Sequence, residues 1–97
     1  MTPITFQAKL WRYPGEGGWH FLTIPAQYRA QIHSQLSPGA AGYGSVRVEA
    51  SIGAVTWQTS VFPDKTSGSY QLPVKQDVRR KAGLSEGGDV EVKLRCL

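Results

Sequence analysis

The strongest constraint on this chain is a pattern of sequence punctuation that occurs twice. Thr23-Ile24-Pro25 leads into a helical period, a glycine-rich turn and Gly44-Ser45-Val46-Arg47-Val48. Gln71-Leu72-Pro73 likewise leads into a helical period, a glycine turn and Gly88-Asp89-Val90-Glu91-Val92. The prolines are 48 residues apart and the glycines 44, so the first copy carries about four extra residues before its returning strand. Each unit reads as strand, proline-started helix, returning strand, and such a half cannot bury its own apolar face. Two halves packed about a pseudo-twofold axis would close a small barrel with a helix over each end. The same grammar also arises without duplication, since its punctuation is common.

Around this frame the period of the apolar residues places six strands and two helices. Phe6, Ala8 and Leu10 alternate with Gln7, Lys9 and Trp11, which gives a strand with one core face. The run Pro14-Gly15-Glu16-Gly17-Gly18 closes it. A second strand, Trp19 to Ile24, puts Trp19, Phe21 and Thr23 opposite His20, Leu22 and Ile24, so the pair predicts an antiparallel hairpin. From Pro25 the spacing of Tyr28, Ile32 and Leu36 predicts a helix to Leu36, followed by a glycine-rich loop over 37–45. Strands follow at Val46 to Ile52 and, after a break or bulge at Gly53, at Val55 to Phe62. A turn over 63–68, a short strand Tyr70 to Leu72, a helix from Pro73 through Ala82 stopped by Gly83, and a strand Val90 to Leu94 complete the chain.

Composition narrows the class. Of the 97 residues 40% are apolar and 19% charged, with eleven glycines and six prolines, which is too apolar for a disordered tail and too punctuated for a helical bundle. The length is that of one domain, residues 1–97. Residues 1–11 lack the charged start and apolar run of a signal peptide, and no stretch approaches the ~20 apolar residues that cross a bilayer. A soluble, cytoplasmic, monomeric protein without membrane contact is the expectation. The lone Cys96 excludes an internal disulfide and argues against structural zinc.

The second unit carries a resemblance. Leu72-Pro73, the basic run Lys75 to Lys81, Gly83-Leu84 and Gly88-Asp89-Val90-Glu91-Val92 resemble the half-barrel element of AbrB/MazE-type transition regulators and antitoxins, which reach a barrel by dimerising two short chains. This chain carries both halves. Over nearly its full length, from Phe6-x-Ala8-x-Leu10 through Trp19-x-Phe21-x-x-Ile24-Pro25, Val46-x-Val48 and Trp57-x-Thr59-Ser60-x-Phe62-Pro63 to Val92, it is similar to a small uncharacterised bacterial domain-of-unknown-function family, sometimes found beside a YdeI-type (bacteriocin-protection, OmpD-associated-like) domain. The resemblance implies a mainly β fold with two short helices: a double-split β-barrel, or pseudobarrel, of two strand–Pro–helix–Gly–strand units with helices capping its ends. It implies no activity, because fold does not fix function.

The inventory for catalysis is thin. His20, between strand residues Leu22 and Ile24 and a glycine turn, reads as a packed, hydrogen-bonded histidine, and His33 as a solvent-facing helix residue. Neither has a carboxylate or cysteine at ligand spacing, so no metal and no cofactor are expected. Cys96 lies next to the last residue, a poor place to hold the base and positive field that a thiolate nucleophile needs. Asp64, Glu86 and Asp89 fall in turns. No catalytic residue is assigned, and the protein reads as a non-enzyme.

One charged cluster remains. Lys75, Arg79, Arg80 and Lys81 face a single anion, Asp77, while Val74, Val78 and Ala82 form the buried stripe of the same helix. A solvated helix face accounts for this pattern by itself. Read as a site, Lys75, Arg79 and Arg80 with Lys65, the Thr59 and Ser60 hydroxyls and the Trp57 and Tyr70 rings form a basic, aromatic-edged patch, if the strands bring them together. The leading expectation is a non-catalytic binding module for a small anionic ligand or a protein partner. The alternative is a DNA-binding transcription regulator or antitoxin-like protein of AbrB/MazE type. Against it, residues 1–48 hold four cations and one anion and residues 49–97 seven and six, so the halves do not present matched charge to two DNA half-sites.

Overall fold

A computed structural model describes residues 3–35 and 44–97. The glycine-rich loop expected over 37–45 lies, up to residue 43, outside the described residues, as does Leu36 at the expected end of the first helix.

Six antiparallel strands form a closed barrel: β1 (Ile4–Arg12), β2 (His20–Thr23), β3 (Val46–Ile52), β4 (Val55–Asp64), β5 (Ser69–Pro73) and β6 (Asp89–Cys96). Around the barrel the order is β1-β2-β5-β4-β3-β6, with β6 returning to β1. Alternation sets the inside. Phe6, Leu10, Leu22, Val48, Ala50, Val61, Leu72, Val92 and Leu94 point inward and are buried, while their strand neighbours face out. A one-residue slip of β1, β3 or β6 would turn that strand's buried members to solvent, so the alternation fixes its register.

The hairpin between β3 and β4 pairs Ile52 with Val55, leaving Gly53 and Ala54 as a two-residue loop. Gly53 is therefore a turn residue at φ +58° and not a bulge inside a strand. A two-residue hairpin with glycine first takes positive φ there without a Cβ clash.

Both helices are shorter than their apolar spacing predicts. Pro25 precedes a 3₁₀ turn, Ala26–Tyr28, which runs into α1 (Arg29–His33). Tyr28 packs against the core and Ile32 is fully buried. Pro73 does not open a helix. It ends β5 opposite Phe21, and α2 (Gln76–Ala82) begins after an extended Lys75. Proline's fixed φ suits a strand end as well as a first helical turn, and the sheet register takes it here. Gly83 stops α2 as expected, at φ +67°. Leu84 N donates to Arg79 O and Gly83 N to Arg80 O, the paired bonds of a Schellman cap. Leu84 and Ala82 then pack on the core, which seats α2 over the barrel.

Candidate functional site

The end of β5 delivers the basic helix to the start of β2. Val74 N donates to His20 O at 2.9 Å, extending the sheet pairing one residue beyond Pro73. Lys75 then leaves the sheet in an extended conformation, and Arg79 follows one helical turn later. The Arg79 guanidinium folds back, with Nη1 donating to Val74 O at 2.7 Å. This tether uses one of its five N–H donors and holds the planar group in place.

Opposite α2 stands the turn between β1 and β2. Gly17 and Gly18 both have positive φ, and a Cβ at Gly17 would lie 3.1 Å from Trp19 Nε1. The indole of Trp19 thus rests on a position that only glycine suits. His20 Nδ1 lies 2.7 Å from Gly18 O. A carbonyl only accepts, so Nδ1 carries the proton and Nε2 is left as the ring's second polar atom. His20 is half-buried and bonded, as its strand position predicts.

Lys75, Arg79, Gln76, His20 and Trp19 line one cleft of about 370 Å³, and among the described residues its wall contains no carboxylate. Two cations, an amide and an imidazole around an acid-free concavity favour a negatively charged group. Among the described residues, no nucleophile with an adjacent base lines it.

Of the residues that the sequence joins into one patch, Lys75 and Arg79 come together here. The others lie elsewhere. Trp57 and Thr59 take the same side of β4 as buried Val61, and Trp57 packs against the core, its Nε1 without a partner among the described residues. Ser60 takes the opposite side, beside Arg47 at 3.5 Å. Lys65 is exposed in the β4–β5 turn and Arg80 on the outer side of α2. Tyr70 is only 3% exposed, so its ring edges no surface, and burial raises its hydroxyl pKa.

A second concavity of about 370 Å³ lies across the outer face of β1, β2, β5 and β4. Trp11, Tyr13, Trp19, Phe21 and Phe62 wall it. Trp19 and Phe21 are stacked, 6.2 Å between centroids at 9°, and Trp11 and Tyr13 lie 5.3 and 6.5 Å from the same Phe21 ring. Its floor is a chain of hydrogen bonds: Trp11 Nε1 to Thr23 Oγ1 at 3.0 Å, Thr23 Oγ1 to Gln71 Oε1 at 2.8 Å, and Gln71 Nε2 to Asp64 Oδ2 at 2.9 Å. The Gln71 side chain, and then that of Ser67, hold the Asp64 carboxyl below the ordinary carboxylate range. The sequence carried a signal for this groove: Trp11, Tyr13, Trp19 and Phe21 alternate on both arms of one hairpin, so they share its outer face.

Among the described residues, no group of three His, Cys, Asp or Glu side chains is placed to hold a metal ion, and no helix is long and apolar enough to cross a membrane. No curated protein matches the chain. Residues 6–94 match the model of a family described as a domain of unknown function, DUF1905.

Proposed function

The chain belongs to the DUF1905 family, and from that premise we propose that it is a non-catalytic binding module whose α2 cleft takes a small anionic group such as a phosphate or carboxylate. The observation that carries this reading is the convergence of Lys75 and the tethered Arg79 on a cleft with no carboxylate in its wall, edged by the exposed Trp19. Lysine supplies a point charge and arginine a planar fork, which together suit a phosphate or carboxylate.

The fold reading that goes with it is a double-split barrel of the AbrB/MazE kind, with both halves in one chain. Support comes from the strand register. Shifting β1 onto β4 by 53 residues (Phe6 onto Thr59), β2 onto β5 by 48 (Thr23 onto Gln71) and β3 onto β6 by 44 (Ala50 onto Leu94) carries the pairings of one half onto those of the other. Phe6↔Val92 becomes Thr59↔Val48, and Leu10↔Leu22 becomes Pro63↔Tyr70. The pairs Thr23↔Gln71 and Ala50↔Leu94 map onto themselves, so a pseudo-twofold axis would pass through both. A barrel closed by one chain suits a monomer, and the proposal places it in the cytoplasm, alone or beside a YdeI-type domain.

Thermal unfolding in the presence of inorganic phosphate, pyrophosphate and citrate tests the binding reading. A ligand of the native state raises Tm in proportion to ln(1 + [L]/Kd). At least one of the three anions is expected to raise Tm saturably in wild type and not in Lys75→Ala/Arg79→Gln. Equal shifts in both proteins would sink the proposal. Titration of duplex DNA at low and high salt covers the regulator alternative, for which affinity must fall steeply with salt. Tight binding with a steep salt slope would replace the small-anion reading.

A further inference from the structure

We propose that the aromatic groove across β1, β2, β5 and β4 is a docking site for a proline-rich peptide segment, bound as a left-handed polyproline helix with one basic residue against Asp64. This surface is separate from the α2 cleft, sharing only Trp19 with it, and carries a second function beyond anion binding.

Exposure is the first observation. Tyr13 is 51% exposed, Trp19 57% and Phe62 44%, and all three line the same groove with the half-buried Trp11 and Phe21. Large rings gathered on one face mark a surface that binds something.

The architecture then restricts the mode. The barrel is closed, so among the described residues no unpaired strand edge stands open to a peptide that would add as a further strand. The groove runs over four neighbouring strands, so a peptide that fills it lies across them. From β1 to β4 there are three strand spacings, roughly 14 Å in all, which a polyproline helix rising about 3.1 Å per residue crosses in four to five residues.

The chemistry of the floor selects the ligand. Trp11 Nε1, the Thr23 hydroxyl and both ends of the Gln71 amide are already bonded to one another and to Asp64. A hydroxyl-rich ligand such as a sugar pairs donors and acceptors together, and the amide and hydroxyl of this floor are already engaged. A proline run has no backbone N–H to satisfy and offers ring faces to the aromatics and carbonyls to donors. Tyr13 Oη and Trp19 Nε1 have no hydrogen-bond partner among the described residues and can supply those donors. Asp64 places one negative charge among aromatic rings, Pro63 and the neutral Gln71, in a protein with formal net charge +4. That charge reads one lysine or arginine beside the prolines.

The test is fluorescence anisotropy with a labelled synthetic peptide in which one arginine precedes a run of prolines, using the full chain. Wild type is expected to bind saturably. Tyr13→Ala and Phe62→Ala, both half-exposed residues outside the α2 cleft, should each weaken binding about tenfold with Tm close to wild type. Replacing the prolines by alanine should abolish binding. Asp64→Asn and an arginine-to-glutamine change in the peptide should each weaken it about fivefold, and their combination no further, because both remove the same contact. Lys75→Ala/Arg79→Gln should bind the peptide as wild type does, which separates failure of this site from failure of the anion cleft. The proposal is overturned if wild type does not bind the peptide, if the alanine peptide binds equally well, or if tetramethylammonium or a soluble oligosaccharide displaces it. It is also overturned if wild type dimerises and Tyr13→Ala does not, since a second copy would then cover the groove.

Discussion

The Thr23 hydroxyl and the Gln71 amide oxygen lie 2.8 Å apart across β2 and β5, joining residues 48 positions apart in the chain. The same hydroxyl accepts the Trp11 indole N–H, so one small side chain links three strands. Thr23→Val keeps the shape and removes both bonds, leaving the Trp11 donor and the Gln71 acceptor unpaired and half-buried or buried. The expected cost is about 1–3 kcal/mol, read by urea denaturation as a lower midpoint with unchanged slope. Thr23→Ser should restore most of it. A Val variant as stable as wild type would show that water replaces both partners.

Asp64 makes the acid limb of the stability curve testable. Its native carboxyl titrates below the ordinary value of 3.8 because the Gln71 amide, followed by Ser67, donates to the charged form. The folded state therefore prefers the ionised group. That contribution is complete above the unfolded value and is lost as pH falls through the native one. Denaturation midpoints measured from about pH 6 down to about pH 2 should fall less steeply in Asp64→Asn than in wild type. Parallel curves would contradict the assignment.

Strands β1, β3 and β6 were legible from alternation at a period of two, as in Phe6 to Leu10 and Val46 to Ile52, which one-sided burial enforces, whereas β4 and β5 were legible from β-forming residues between turns, since β5 is buried on both faces. The helix starts were not, because proline at 25 and 73 satisfies a strand end and a first helical turn alike, and only the pairing of Pro73 with Phe21 decides. Lys75 and Arg79 were readable as a pair from their spacing of four. Their companions were not, since the facing wall of the cleft comes from Gly17 to His20, more than fifty residues earlier in the chain. The hairpin half of the aromatic groove was written at residues 11, 13, 19 and 21. Its far side, Phe62 with Asp64, arrives only because β5 inserts between β2 and β4.

Gly83 isolates a purely conformational effect. It sits at φ +67° with nothing within 4 Å of the position a Cβ would take. Gly83→Ala therefore meets no clash and suffers only the left-handed backbone penalty, about 1 kcal/mol. For a domain of this size that lowers Tm by about 4–8 °C. Gly83→Asn, which tolerates this conformation better, should lose less, and calorimetry that ranked Asn below Ala would overturn the argument.

Cys96 reports on the barrel seam. It is 9% exposed in β6 and pairs with Val48, and burial raises its thiol pKa above the ordinary value of 9.0. Native protein should react slowly with a thiol reagent at pH 8, because the attacking thiolate is scarce and shielded, and denatured protein should react rapidly. The linkage runs opposite to that of Asp64. The folded state prefers the neutral thiol, so its contribution is present at neutral pH and fades once pH rises above the ordinary value of 9.0. Tyr70 is also raised by burial and titrates in the same alkaline range, starting from a higher ordinary value of 10.0. Cys96→Ala separates the two: it should flatten the part of the alkaline limb that begins near pH 9 and leave the part that begins near pH 10 to Tyr70. Rapid labelling of the native protein at pH 8, with an unchanged alkaline limb in Cys96→Ala, would mean that the β3–β6 seam opens to solvent, and the barrel would not be closed there.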